Sequence, residues 1–179
     1  MNEIKAITKA IKGDEDAFEG LIRKESDKLY KTAFLYVRNK EDALDILQET
    51  IYKAFTTIHQ IKKPEYFSSW LTTILIRKCY DLLNKKKKIV LTDDFTTFPV
   101  ASNSSGNIEH KLDLITAISK LNYNYQTVII LFYYHDLPIR RISEAMGKPE
   151  NTVKTLLHRA KRELKQLLGG DDVYGKRMV

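Results

Sequence analysis

Apolar residues recur at three- and four-residue spacing through most of this 179-residue chain. That spacing puts side chains on one face of an α-helix, so a chain written this way buries its stripes by packing helix against helix. Ile4, Ile7 and Ile11 open the chain as an amphipathic helix start and not as a signal peptide. Ala17, Phe18, Leu21, Ile22, Leu29, Ala33, Phe34 and Val37 form the first long stripe, and Asn39 breaks it. Glu41 and Asp42 suit a helix N-terminus. The helix they open carries Ala43, Leu44, Leu47, Ile51, Ala54, Phe55 and Ile58 as its core stripe. Pro64 stops the pattern, and a third helix is predicted from about Phe67 to Lys87, with Trp70 in the core.

From Ile89 to Asn107 the periodicity is lost. The stretch IVLTDDFTTFPVASNSSGN is rich in Asp, Thr, Ser and Asn. So polar a segment buries too little apolar area to offset the entropy of ordering it. The expectation is therefore an all-α protein of two small helical domains joined by a flexible linker: residues 1–88, a linker over 89–108, a helix-turn-helix domain over 109–168, and a tail over 169–179.

Charge narrows the partners. Thirty Lys and Arg against 23 Asp and Glu leave +7, with an isoelectric point near 9.3. That favours a polyanion, nucleic acid or membrane surface alike. The longest apolar run, Val128–Tyr134, is far too short to span a bilayer, so the expected location is the cytoplasm. The single cysteine, Cys79, excludes an intramolecular disulfide. His59, His110, His135 and His158 are scattered without metal-ligand spacing, and no glycine-rich phosphate loop occurs. The chain is read as a non-enzyme with no cofactor and no metal.

The segment DLPIRRISEAMGKPENTVKTLLHRAKREL is the most specific. Pro138 suits a first helical position, Ile139, Ile142, Ala145 and Met146 form the apolar face of a short helix, and Gly147 closes it. Pro149 then opens a second helix. Two short helices joined by a glycine turn make a helix-turn-helix, whose second helix lies in the major groove. On that helix Val153, Leu157, Ala160, Leu164 and Leu168 should pack inward. Asn151, Lys154, Thr155, His158, Arg159 and Arg162 share the opposite face, where their side chains can reach base edges or phosphates. Eight Lys or Arg against three Glu give +5 from Ile139 to Leu168.

The N-terminal part carries two faces of opposite sign. Four acids and one lysine give −3 between Glu41 and Phe55, and Asp45, Gln48, Glu49 and Tyr52 share one exposed face. Such a stripe suits a basic protein partner or is simply solvated. Six Lys or Arg less Asp81 give +5 over Arg77–Lys88, including Arg77, Lys78, Lys85 and Lys86. Tyr66 and Phe67, just upstream, are candidates for stacking on unpaired bases.

Three segments in order resemble the extracytoplasmic-function (ECF) sigma factors, and the resemblance covers nearly the whole chain outside the linker and tail. EDALDILQETIYKAF resembles the family's polymerase-binding helix, FSSWLTTILIRKCYDLLNKKKK its −10 helix, and LNYNYQTVIILFYYHDLPIRRISEAMGKPENTVKTLLHRAKREL its −35 domain. The resemblance implies that Asp45, Gln48 and Glu49 dock on the clamp helices of the largest catalytic subunit of core RNA polymerase. It implies that Lys154, Thr155 and Arg159 contact −35 promoter DNA, that the loop Ile61–Phe67 captures a flipped −10 base, and that an anti-sigma factor is a partner. Three positions depart from the usual pattern. Arg77 stands where many members have asparagine, Leu156 where arginine is frequent, and Arg141 where glutamate is frequent, adding a phosphate-facing charge. The rival reading is a helix-turn-helix regulator acting without polymerase; it leaves the acidic stripe and the second basic cluster unexplained.

Overall fold

The cap residues explain where the helices begin and end. In the computed structural model, which describes residues 3–90 (side chains through 86) and 114–168, helix is the only regular structure among the described residues. The chain divides into two units, Met1–Lys86 and Lys87–Val179.

In the first unit, α1 (Glu3–Ile11) buries Ala6, Ile7 and Ala10. Helix α2 (Glu15–Val37) starts where the Asp14 carboxylate accepts the Ala17 N–H, and it ends at Arg38 in the left-handed region. Asn39 breaks the apolar pattern because it caps the next helix: its side chain accepts the Asp42 N–H at the start of α3 (Lys40–Thr57). Pro64 opens a short 3-10 turn, Pro64–Tyr66, ahead of α4 (Phe67–Val90). Helix α4 runs two residues into the segment expected to be linker; 91–108 and the tail 169–179 lie outside the described residues.

The core of this unit differs from the sequence expectation in instructive ways. Leu44 and Phe55, expected in the α3 stripe, are 48% and 47% exposed. Thr32, Thr50 and Thr72 are buried instead. Each hydroxyl donates to the carbonyl one turn back, on Lys28, Ile46 and Ser68, at 2.7, 2.7 and 2.8 Å. A buried hydroxyl with a partner costs little, and the compact side chain lets helices approach. Phe55 still meets Phe18 edge-on, ring centroids 5.3 Å apart. Trp70 is only partly buried, 6.1 Å from Phe67 between ring centroids.

The second unit has helix over 114–120, labelled α5, then α6 (Tyr123–Ile129), α7 (Ile139–Met146) and α8 (Glu150–Leu167). Helix α6 continues as a π-helix, Ile130–Tyr134, a widening that the sequence pattern did not signal. Ile142 is the fully buried residue of α7. Val153, Leu157, Ala160 and Leu164 are buried along α8, as their spacing required. Pro138 and Pro149 are N-caps, one position earlier than expected, with ψ of 152° and 146°. Proline fixes φ but leaves ψ free to stay extended, so the ring ends the turn rather than entering the helix.

Candidate polymerase and nucleic-acid interfaces

The turn between α7 and α8 sets the geometry of the basic helix. Gly147 adopts φ +62°, a conformation that costs a side-chain-bearing residue about 1–2 kcal/mol. Its N–H caps α7 by donating to the Ser143 carbonyl. The following residue does the same, Lys148 N–H to Ser143 O at 3.1 Å, so the chain reverses within two residues.

Helix α8 then displays the whole predicted stripe. Asn151, Lys154, Thr155, His158, Arg159 and Arg162 are all exposed on the face opposite the buried residues. Thr155 donates its hydroxyl proton to the Asn151 carbonyl at 2.9 Å, which leaves the oxygen able to accept. Among the described residues no carboxylate pairs with Lys154, Arg159 or Arg162. Arg141, on α7, is set apart from this stripe. Its side chain is 19% exposed and its guanidinium is ion-paired with Glu144, which also takes Arg140 at 3.5 Å.

The α3 face carries the second predicted set. Asp45, Gln48, Glu49 and Tyr52 are exposed, Tyr52 at 72%. Leu44, Gln48, Tyr52 and Phe55 follow offsets 0, 4, 8 and 11, so two half-exposed apolar residues, Leu44 and Phe55, share a face with Gln48 and Tyr52 of the stripe. Sequence spacing assigned Leu44 and Phe55 to the core because both sit at the edge of the apolar arc, where period alone does not separate inside from outside.

On α4, Arg77 and Lys85 are exposed. Lys78 and Lys86 are not independent of α3: Lys78 Nζ lies 2.8 Å from Glu49 Oε2, and Lys86 Nζ 2.5 Å from Asp42 Oδ2. Phe67 corrects an expectation. It is 2% exposed and among the largest fully buried side chains, so its ring has no face to offer a base. Tyr66 is partly accessible, with Lys63 Nζ 5.6 Å from its ring centroid. Of the pair, only Tyr66 can stack.

A helix-turn-helix with a free cationic face, and a separate helical unit carrying adjoining acidic and basic faces, define a transcription protein with more than one macromolecular contact. Residues 21–89 match the family description Sigma-70 region 2, and residues 111–164 match Sigma-70, region 4. RNA polymerase sigma factor SigV of Bacillus subtilis is 41% identical over 146 residues, covering 80% of this chain and 86% of the relative. ECF RNA polymerase sigma factor SigW of the same organism is 29% identical over 178 residues, covering 92% and 95%. The fold is shared with the sigma factor RpoE of Bartonella quintana, solved with the anti-sigma factor NepR, at a TM-score of 0.71 and 21% identity over 87% of this chain and 98% of that one. CnrH, solved with the cytosolic domain of CnrY, gives 0.72 at 20% identity over 95% and 99%. The chain belongs to the ECF group of the sigma-70 family of RNA polymerase sigma factors. It is an alternative sigma factor, which binds core RNA polymerase and directs it to promoter DNA, and not a helix-turn-helix regulator working alone.

Proposed function

We propose that this sigma factor divides its work among three helical faces. Asp45, Gln48, Glu49 and Tyr52 of α3 dock on the clamp helices of the largest polymerase subunit. Arg77, Lys78, Lys85 and Lys86 of α4 hold the backbone near the −10 element while Tyr66 stacks on an unpaired base. Asn151, Lys154, Thr155, His158, Arg159 and Arg162 of α8 read the −35 element, with Arg141 of α7 on an adjacent phosphate. The observation that carries this is the opposite sign of the α3 segment and the helix-turn-helix, −3 over Glu41–Phe55 and +5 over Ile139–Leu168. An acidic face repels DNA and attracts a basic protein; a cationic face with amide and hydroxyl groups does the reverse.

Energetics assign the melting step to the assembly. Unstacking costs a few kcal/mol per base, and stacking on one aromatic returns about 1–3 kcal/mol. A single tyrosine therefore does not open a duplex alone; polymerase contacts supply the remainder, and joining two weak DNA sites through one enzyme raises their effective concentration. On this reading the chain catalyses no reaction itself and acts in the cytoplasm, beside the polymerase it binds. Among the described residues no helix is long and apolar enough to cross a membrane. An anti-sigma factor is a further partner, a reading supported by the NepR complex of its structural relative.

The test is transcription in vitro with sigma-free polymerase. The chain should co-purify with the enzyme and start RNA at defined sites. Reversing Asp45 and Glu49 to Lys should abolish both while leaving the helical circular-dichroism spectrum intact. Retained binding by that variant removes the docking assignment.

A further inference from the structure

The two basic helices differ in a way their sequences do not reveal. On α8, no carboxylate among the described residues neutralises Lys154, Arg159 or Arg162. On α4, two of the four candidate DNA-binding cations are held by a neighbouring helix, Lys78 by Glu49 and Lys86 by Asp42. These pairs join residues 29 and 44 positions apart, so they are tertiary contacts, not neighbours along one helix. They border a groove of about 220 Å³ between α3 and α4, whose charged lining is Asp42, Asp45, Glu49 and Asp81 against Lys78 and Lys85. Four carboxylates to two ammonium groups make that groove unfavourable for a phosphate backbone.

We propose that Asp42 and Glu49 form a built-in brake on DNA binding by α4, competing with phosphates for the ammonium groups of Lys86 and Lys78. The proposal rests on the reading of α4 as a DNA-contacting helix. Its physical rationale is specificity. A chain of net charge +7 meets a vast excess of non-specific phosphate sites. Leaving every cation exposed would let those sites sequester the protein. Masking Lys78 and Lys86 leaves α4 with two of its four cations held, Arg77 and Lys85 staying exposed, so α4 meets DNA at reduced strength and stable −10 contact requires something more than a polyanion. Asp42 belongs to neither predicted contact set, and the brake gives it a positioning role.

The experiment measures binding of the full chain, without polymerase, to a short single-stranded DNA of arbitrary sequence over a series of salt concentrations. An exposed ion pair shifts such an equilibrium by a factor of roughly two to five. Asp42→Asn with Glu49→Gln should therefore tighten binding about fivefold or more, and steepen the slope of log K on log salt by about one. Glu15→Gln with Glu41→Gln removes the same charge from exposed acids that pair with no lysine among the described residues. It should change affinity less than twofold and leave the slope as it was. Lys78→Gln with Lys86→Gln completes the cycle: a partial loss of binding in the native background, and a larger one that erases the whole gain in the Asp42→Asn, Glu49→Gln background. If the carboxylate and control pairs behave alike, there is no brake. If the lysine changes weaken binding fully in the native background, the lysines touch DNA but are unmasked, and the brake alone is overturned. If they change nothing in either background, α4 lysines do not hold DNA, and the brake falls together with the reading beneath it.

Discussion

Ser143 Oγ donates a 2.5 Å hydrogen bond to the Lys148 carbonyl, tying the last turn of α7 to the residue that precedes the Pro149 cap of α8. The same residue's carbonyl accepts from the Gly147 and Lys148 N–H groups. One serine thus holds both sides of the turn that aims α8.

Ser143→Ala removes one of these bonds and leaves a partly buried carbonyl short of a donor. A loss of about 1 kcal/mol is expected, together with weaker binding to −35 DNA because the angle of α8 loosens. Gly147→Ala tests the same turn from the backbone side. A Cβ there meets nothing within 4 Å, so the cost is the left-handed φ of +62° alone. About 1–2 kcal/mol is expected, read as a lower midpoint in thermal unfolding; an unchanged midpoint would show that the turn relaxes freely.

Phe67 and Tyr66 are adjacent yet should respond to substitution in opposite ways. Phe67→Ala empties a fully buried site and should cost about 3–5 kcal/mol of stability. Tyr66→Ala should leave the melting temperature within a degree or two but lower the fraction of open promoter complex, measured by permanganate reactivity of unpaired thymines. Equal stability losses at the two positions would contradict the assigned division.

Arg159 and Arg162 are exposed and unpaired among the described residues, so replacing either with Ala should shift stability by less than about 0.5 kcal/mol. The effect belongs to DNA. Loss of a base-edge contact lowers affinity for the −35 element by about 1–3 kcal/mol and relaxes its sequence preference. Loss of a phosphate contact weakens all sequences equally and reduces the salt slope by about one. Fluorescence anisotropy on matched and scrambled duplexes separates the two, and unchanged −35-dependent transcription by Arg159→Ala would remove that residue from the interface.

Cys79 is fully buried, and burial pushes its thiol from an ordinary value near 9 up to about 12. In the folded chain it should not react with a thiol reagent at pH 8, while unfolded chain reacts at once. The sign of the linkage follows from the raised value. The unfolded thiol gives up its proton at lower pH than the folded one, so its contribution to stability is complete below about pH 9 and declines as pH rises toward 12. Cys79→Ala should therefore be less stable than native at neutral pH by a margin that narrows in alkali, as followed by chemical denaturation.

What the residues alone determined is what depends on local period and local chemistry. The all-helical fold, the buried stripe Val153, Leu157, Ala160 and Leu164, and the exposed stripe from Asn151 to Arg162 all follow from 3.6 residues per turn. The left-handed Gly147 follows from the absence of a Cβ. Only the tertiary structure decided matters that depend on which helix lies against which. Leu44 and Phe55 stand half outside, while Ala43, Ile46, Thr50 and Ala54 fill the buried arc of α3. Phe67 is buried although its neighbours in sequence suggested a surface aromatic. Lys78 and Lys86 look like free phosphate ligands until α3 brings Glu49 and Asp42 to them across 29 and 44 residues. Periodicity tells a side chain which way to face; it carries no information about the charge waiting there.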